Sequence, residues 1–216
     1  MSQLKISIIG GTGYVGANIA AEAAARGHEV RAWSRSAPAD PIHGVTYEQG
    51  DVTEPQVLKE AVAGADVVIG ALSPRGPMLG KVAPVAAELA QLCAAEGVRL
   101  GFMAGAGSLF VAPGGPRLYE SEGFPPAVLP ESTEMGKVIE TLQASDDTLD
   151  WFVICPAREF GGRTGGERTG HYRTGGHELF FDADGRSRLS GPDLAVAFLD
   201  EIENPAHHRD YFAVAY

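Results

Sequence analysis

The sequence predicts an α/β fold, a doubly wound parallel sheet with helices on both faces and a small C-terminal substrate lobe. Three observations carry this. Short apolar runs alternate with helix-length stretches from Leu4 to Met103, which implies crossover connections between parallel strands. The first apolar run passes through a glycine-rich turn into an alanine-rich stretch. Beyond Met103 the texture changes to Pro/Gly-rich loops set among four more strands and two more helices. The 216 residues read as one domain, 1–216, with substrate or lid elements from about 156 to 190.

The elements follow in order. Leu4–Ile9 is a buried strand, and Tyr14–Arg26 a helix that Gly27 would end. Glu29–Trp33 and Val45–Gln49 are strands, followed by a helix around Glu54–Ala63. Asp66–Ala71 is short and apolar, as a central parallel strand should be. A helix covers Val82–Glu96 with Gly97 as its C-cap, and Val98–Met103 is the next strand. Ala112–Pro130 is rich in Pro and Gly, and so long an irregular loop in a compact domain is usually functional. Glu131-Ser132-Thr133 opens a helix to about Ser145, and Trp151–Cys155 is a strand stopped by Pro156. The remainder predicts a strand pair at Leu179–Phe181 and Arg186–Leu189, a helix Pro192–Glu203 capped by Ser190, and a last strand Tyr211–Ala215.

Gly10-Gly11-Thr12-Gly13-Tyr14-Val15-Gly16 is the most specific motif. Glycines at 10, 13 and 16 permit a sharp turn, close approach of backbone N–H groups to a ligand, and helix packing near the strand. A helix that starts there offers unpaired N–H groups and a partial positive charge to a pyrophosphate. The motif therefore predicts a dinucleotide site at Gly10, Thr12, Gly13, Tyr14, Val15 and Gly16. The second strand ends in Ser34-Arg35 without a carboxylate, and these residue types attract a 2′-phosphate, so NADP(H) is expected over NAD(H). Asp51-Val52 after the third strand either meets the adenine or caps the following helix. Ala71, Leu72 and Ser73 after the fourth strand, and Ala104 and Gly105 after the fifth, stand at the carboxyl edge where ligands sit in open parallel sheets.

Composition limits the partners. The chain carries 28 acidic and 17 basic residues, a net charge of −11, which argues against nucleic acid or an anionic membrane. No apolar stretch is long enough to span a bilayer, and no signal peptide is visible. Cys93 and Cys155 lie far apart inside apolar segments, outside any metal-ligand spacing, and read as reduced thiols of a cytoplasmic protein without a metal.

Taken together, Gly10–Gly16, Ser34-Arg35, Gly50-Asp51-Val52 and Ala104-Gly105-Ala106-Gly107-Ser108 resemble the short-chain dehydrogenase/reductase superfamily, whose domain is Rossmann-like. Asp150-Trp151-Phe152-Val153, Arg168–Arg173, Asp184–Ser187 and Asp193–Ala197 extend the resemblance along nearly the whole chain. They point to the atypical NAD(P)H-binding branch, which includes NmrA-like proteins and bacterial proteins provisionally named NADH-flavin reductases. The resemblance implies hydride transfer from NADPH to a small-molecule acceptor, with FMN, FAD or riboflavin as substrate rather than prosthetic group.

The superfamily's main branch uses Tyr-x-x-x-Lys on the helix after the fifth strand. Here Lys137 follows Thr133, and a threonine lacks a phenol's acidity. Carbonyl–alcohol, epimerase and dehydratase chemistry need a group that moves a proton at oxygen. Reduction of a flavin or quinone needs mainly two rings held near contact. Lys137 either orients a ribose or is a surface lysine, and Ser108 either meets the substrate or satisfies the loop backbone. Tyr119, His171 and Tyr172 are alternative proton donors. The Arg-Thr-Gly repeat at Arg163, Arg168 and Arg173 is either a lid whose Arg168, His171 and Tyr172 meet an anionic acceptor, or a solvated loop pairing with carboxylates. Three functions follow: an NADPH-dependent flavin or quinone reductase, a non-catalytic NADP-sensing regulator, or a sugar-nucleotide epimerase. A homodimer is compatible with any of them.

Overall fold

The structure is a computed structural model that describes residues 2–216. One eight-stranded sheet forms its centre, built from β1 (Lys5–Ile9), β2 (Glu29–Ser34), β3 (Val45–Gln49), β4 (Val67–Gly70), β5 (Arg99–Met103), β6 (Trp151–Pro156), β7 (Arg173–Thr174) and β8 (Asp210–Ala215). Their spatial order is β3-β2-β1-β4-β5-β6-β8-β7. All neighbours are parallel except β7, which runs antiparallel to β8. The chain moves outward from β1 through β2 to β3, then returns to β4 on the other side of β1. That reversal leaves a crevice beyond the carboxyl ends of β1 and β4.

Five helices cover both faces. They are α1 (Tyr14–Ala25), α2 (Pro55–Val62), α3 (Val82–Glu96), α4 (Leu129–Gln143) and α5 (Gly191–Glu203). Alternation along each strand divides the core in two. Trp151, Val153 and Cys155 of β6 pack with Leu89 of α3 and Val138 of α4, in the core shared with α2. Phe152 and Ile154 of the same strand pack with Ile19 of α1 and Phe198 of α5. Ser190 caps α5, its Oγ accepting from Asp193 N at 3.0 Å. Gly97 ends α3 with φ +66°, and Gly27 follows α1 with φ +83°, as the sequence led one to expect. α4 begins at Leu129, before Glu131, because Pro130 is tolerated in a first helical turn.

The expected strand pair at Leu179–Phe181 and Arg186–Leu189 does not form. The antiparallel partner of β8 is β7, earlier in the chain. Leu179 N donates to Phe110 O at 2.9 Å, while Arg188 bridges to Glu159. Asp182 Oδ1 accepts from the backbone N of Asp184 and Arg186, folding the intervening residues into a tight turn. Asp182 N donates to Arg186 O inside that turn, but beyond it Leu179 and Leu189 bond to Phe110 and Glu159 rather than to each other. No described helix is long and apolar enough to cross a membrane.

Candidate functional site

The crevice is built on the turn between β1 and α1. Gly10 N and Gly11 N both donate to Trp33 O, at 2.9 and 3.0 Å, which ties the turn to β2. Gly10 has φ +85°, and a Cβ there would lie 2.6 Å from Ala71 O. Gly16 is buried behind the turn, where a Cβ would lie 2.3 Å from Gly10 O. Both positions exclude any side chain. Gly13 differs: a Cβ would approach only Gly10 O, at 3.3 Å. The space in front of it is open cleft, which suits a group lying directly on the backbone. No side chain caps α1, so its first N–H groups face this space without an internal acceptor.

The cleft has a volume of about 950 Å³ and runs across the carboxyl ends of β2, β1, β4, β5 and β6. Gly10, Thr12, Gly13, Tyr14, Val15, Ser34, Arg35, Val52, Ala71, Leu72, Ser73, Ala104 and Gly105 all line it. Thirteen of the fifteen expected cofactor contacts thus converge, with Gly16 behind them as a spacer. Ser34 Oγ donates to Ser36 O at 2.7 Å, shaping the loop from which Arg35 projects, exposed. Arg35 has no ion pair or side-chain hydrogen bond to any described residue.

Asp51 lies outside the cleft lining. Its Oδ1 accepts from Thr53 N at 2.9 Å and Thr53 Oγ1 at 2.8 Å, and these bonds hold its carboxyl below the usual range. It closes the turn that leads into α2, where Glu54 is the N-cap. Val52 alone of that pair reaches the cleft.

The residues expected to carry catalysis are placed elsewhere. Ser108 is fully buried, does not line the cleft, and its hydroxyl has no partner. Lys137 is exposed and does not line the cleft, because α4 turns Met135 and Ser132 inward and leaves position 137 on the outside. Tyr119 packs beside Gly136, where a Cβ would lie 2.9 Å from its hydroxyl, and burial raises its pKa. It does not line the cleft either.

The Arg-Thr-Gly segment is likewise not a lid over this cleft. Arg168 Nε and Nη2 donate to Glu22 of α1, Tyr172 Oη donates to Asp200 of α5 at 2.7 Å, and His171 is exposed. Burial, then the bond to Asp200, raises the Tyr172 pKa further above its ordinary value, against proton donation. Thr169 N and Gly170 N donate to Asp193, at 2.9 and 2.8 Å. Carboxylates of α1 and α5, Glu22, Asp193 and Asp200, thus hold this basic loop against the two helices.

Several cleft residues were not anticipated. Trp33, Ser36 and Arg75 line the cleft as well. Phe124, Pro125, Val128, Glu131, Ser132 and Met135 bring in the 118–128 loop and one face of α4, while Pro156, Ala157, Arg158 and Phe160 follow β6. Val128, the N-cap of α4, and Glu131, Ser132 and Met135 within it follow helical spacing, a signal that was available in the sequence. The Tyr14 and Phe160 rings meet at 5.8 Å, joining the glycine turn to the segment after β6. Arg75 Nε donates to Glu131 Oε2 at 2.6 Å, connecting the β4 loop to α4. No group of His, Cys, Asp and Glu suited to a metal occurs among the described residues.

Comparison with known proteins agrees with this geometry. Residues 10–205 match the profile of the NAD(P)H-binding family. An uncharacterised Bacillus subtilis protein, YwnB, is 35% identical over 98% of both chains. Three solved structures superpose along the whole chain. One is a Burkholderia pseudomallei protein provisionally described as exported, 39% identical, covering 99% of this chain and 100% of its own with TM-score 0.87. Another is a Streptococcus pneumoniae protein provisionally named an NADH-flavin reductase, 28% identical, covering 98% and 99% with TM-score 0.89. The third is a Bacteroides thetaiotaomicron protein provisionally named an epimerase, 33% identical, covering 100% and 98% with TM-score 0.87.

Proposed function

This chain belongs to the NAD(P)H-binding family, and from that premise we propose that it is an NADPH-dependent oxidoreductase passing hydride to a flavin-like or quinone-like acceptor. One observation carries the reading. A single open cleft joins the glycine turn and Arg35 at one end to a compartment at the other where Phe124, Met135 and Phe160 stand beside a few polar side chains, with no acid–base pair on α4 facing it. The coenzyme supplies a hydride from its nicotinamide ring when bound. Everything else is positioning.

In this reading the N–H groups at the start of α1 hold the pyrophosphate, and Gly13 leaves room for it. Ser34 and Arg35 hold the 2′-phosphate, and Val52 and Trp33 flank the adenine. Ala71–Ser73 and Ala104-Gly105 carry the nicotinamide half across the mouths of β4 and β5. Met135, Phe124 and Phe160 then supply apolar surface for an acceptor ring and exclude water from the contact. Orientation of two rings is what such a transfer needs from a protein, and the acceptor's own electronics accommodate the charge. Residence in the cytoplasm is part of the proposal and is supported by the two free, buried thiols, Cys93 and Cys155.

The second reading is a non-catalytic NADP sensor. It is favoured by the absence of a phenol at Thr133 and by Arg75's hold on Glu131, the one carboxylate that α4 turns to the cleft. An epimerase is less well supported, since α4 carries Thr133 where the acid–base tyrosine of the superfamily's main branch would stand.

The test is calorimetric titration with NADPH and NADH, followed by NADPH oxidation assays with FMN, riboflavin and a quinone. Preference for NADPH that falls at least tenfold in Arg35→Ala, together with turnover, supports the enzyme. Equal affinity for both coenzymes removes the NADP assignment. Tight binding without turnover of any acceptor transfers the protein to the sensor class.

A further inference from the structure

We infer that Arg158 is a specificity-determining residue of the acceptor half of the cleft and that the acceptor carries an anionic group, a phosphate or a carboxylate, beside its planar ring. The inference rests on the reductase reading for the location of the acceptor.

The first observation is topological. Arg158 follows β6 and Arg35 follows β2, and both line the same cleft. Between them the order β2-β1-β4-β5-β6 sets four strand spacings, about 19 Å. The two cations therefore serve opposite ends. With Arg35 at the coenzyme's adenosine end, Arg158 stands past β4 and β5, on the acceptor side.

The second observation concerns pairing. Ten arginines have a side-chain hydrogen bond or ion pair to a described residue. Arg35, Arg158 and Arg163 have none, and Arg163 does not line the cleft. In a chain with 28 acidic residues, an unpaired guanidinium at each end of one cleft suggests a negative charge to be met at each end.

The third is local. The carboxylate adjacent in sequence, Glu159, is held by Arg186, so it does not neutralise Arg158. Arg158 N donates to Ser187 Oγ at 3.2 Å and Glu159 N to Ser187 O at 2.8 Å, so the backbone beneath the guanidinium is fixed. Glu122, from the 118–128 loop, lines the same cleft and has no partner among described residues. A carboxylate in the same cleft weakens the positive field that an anion would meet there.

The test is calorimetry on NADP⁺-saturated protein, with FMN against riboflavin and a carboxylated naphthoquinone against its uncharged parent. At low salt the unmodified protein should bind the anionic member of at least one pair tenfold more tightly. The pair in which this occurs identifies phosphate or carboxylate. Arg158→Ala should erase that preference and leave the neutral member within twofold, Arg158→Lys should restore part of it, and Glu122→Gln should increase it. Equal affinities within both pairs, an equal loss for charged and neutral members in Arg158→Ala, or no binding of either anionic member overturns the inference. So does a loss of NADPH affinity in Arg158→Ala, which would assign the residue to the coenzyme. The two readings fail separately. Arg158-dependent binding without NADPH oxidation overturns only the reductase reading, and turnover indifferent to Arg158 overturns only this one.

Discussion

Arg168 grips Glu22 through two parallel contacts, Nε to Oε2 at 2.8 Å and Nη2 to Oε1 at 2.9 Å. Glu22 is buried on α1 and also accepts from Arg26 Nε at 2.8 Å, and Arg26 reaches Asp200 and Glu203 of α5. The charge of Arg168 is thus answered by the scaffold, at a position about two turns along α1 from the cleft-lining Tyr14 and Val15. Arg168→Ala is expected to leave NADPH affinity and turnover within about threefold, since the nearest coupling runs through α1. It should make the loop more susceptible to chymotrypsin near Tyr172. A tenfold loss of coenzyme affinity would contradict this placement.

Acid should loosen the same region. Arg168, opposed by burial and aided by Arg26, holds the Glu22 carboxyl below its usual range. Burial pushes Asp193 upward, but bonds from Tyr216, Thr169 and Gly170 together outweigh it and leave its pKa lowered. A carboxylate whose folded pKa is depressed stabilises the fold fully above its unfolded pKa, about 4, and that contribution is lost as pH falls through the folded value. Tm should therefore be flat across neutral pH and fall below about pH 4. Asp193→Asn should lower stability by about 1–2 kcal/mol at neutral pH and make the acid limb shallower. An unchanged acid limb in thermal melts across that range would count against the assignment.

Gly13 and Gly16 should behave oppositely. At Gly16 a methyl would lie 2.3 Å from Gly10 O and 2.8 Å from Gly11 Cα, so α1 must move away from β1. Gly16→Ala is expected to lose several degrees of Tm or fail to fold. Gly13→Ala meets only Gly10 O, at 3.3 Å, and should keep its Tm within about 2 °C. It should nevertheless lose at least tenfold in NADPH affinity, because the methyl occupies the ligand's space. Calorimetry and melting curves on the two variants separate the cases.

Lys137→Ala should change kcat and KM for NADPH by less than twofold, as expected for an exposed residue outside the cleft lining. Ser132→Leu, on the cleft face of the same helix, should raise KM for the acceptor by a larger factor than KM for NADPH. Steady-state kinetics on both variants check this, and a tenfold fall in kcat for Lys137→Ala would restore a ribose-binding lysine.

The fold was largely legible because period and punctuation agreed. Apolar runs of strand length alternated with helical stretches, and Gly27, Gly97 and Ser190 marked real helix ends. The glycine-turn end of the cleft was legible for the same reason, since its residues sit immediately after strands. The end bounded by α4 and the segment after β6 was harder to read. Phe124, Pro125 and Arg158 lie in irregular backbone, where nothing periodic shows which side chain faces inward. Reading Thr133 and Lys137 by analogy with a Tyr-x-x-x-Lys pattern hid the residues that α4 does present, Ser132 and Met135. The Arg-Thr-Gly repeat left two readings open because the counter-ion of Arg168, Glu22, is remote in sequence, as are the carboxylates of α5, Asp193 and Asp200, that hold Thr169, Gly170 and Tyr172.

The chain's two tryptophans occupy unlike surroundings. Trp33 lines the cleft at the end of β2, two residues before Arg35, whereas Trp151 is sealed in the core of β6. The molecule thereby contains its own optical reporter. Coenzyme arriving at the Arg35 end should quench the emission of one indole and leave the other as an internal reference, so occupancy can be followed without any label.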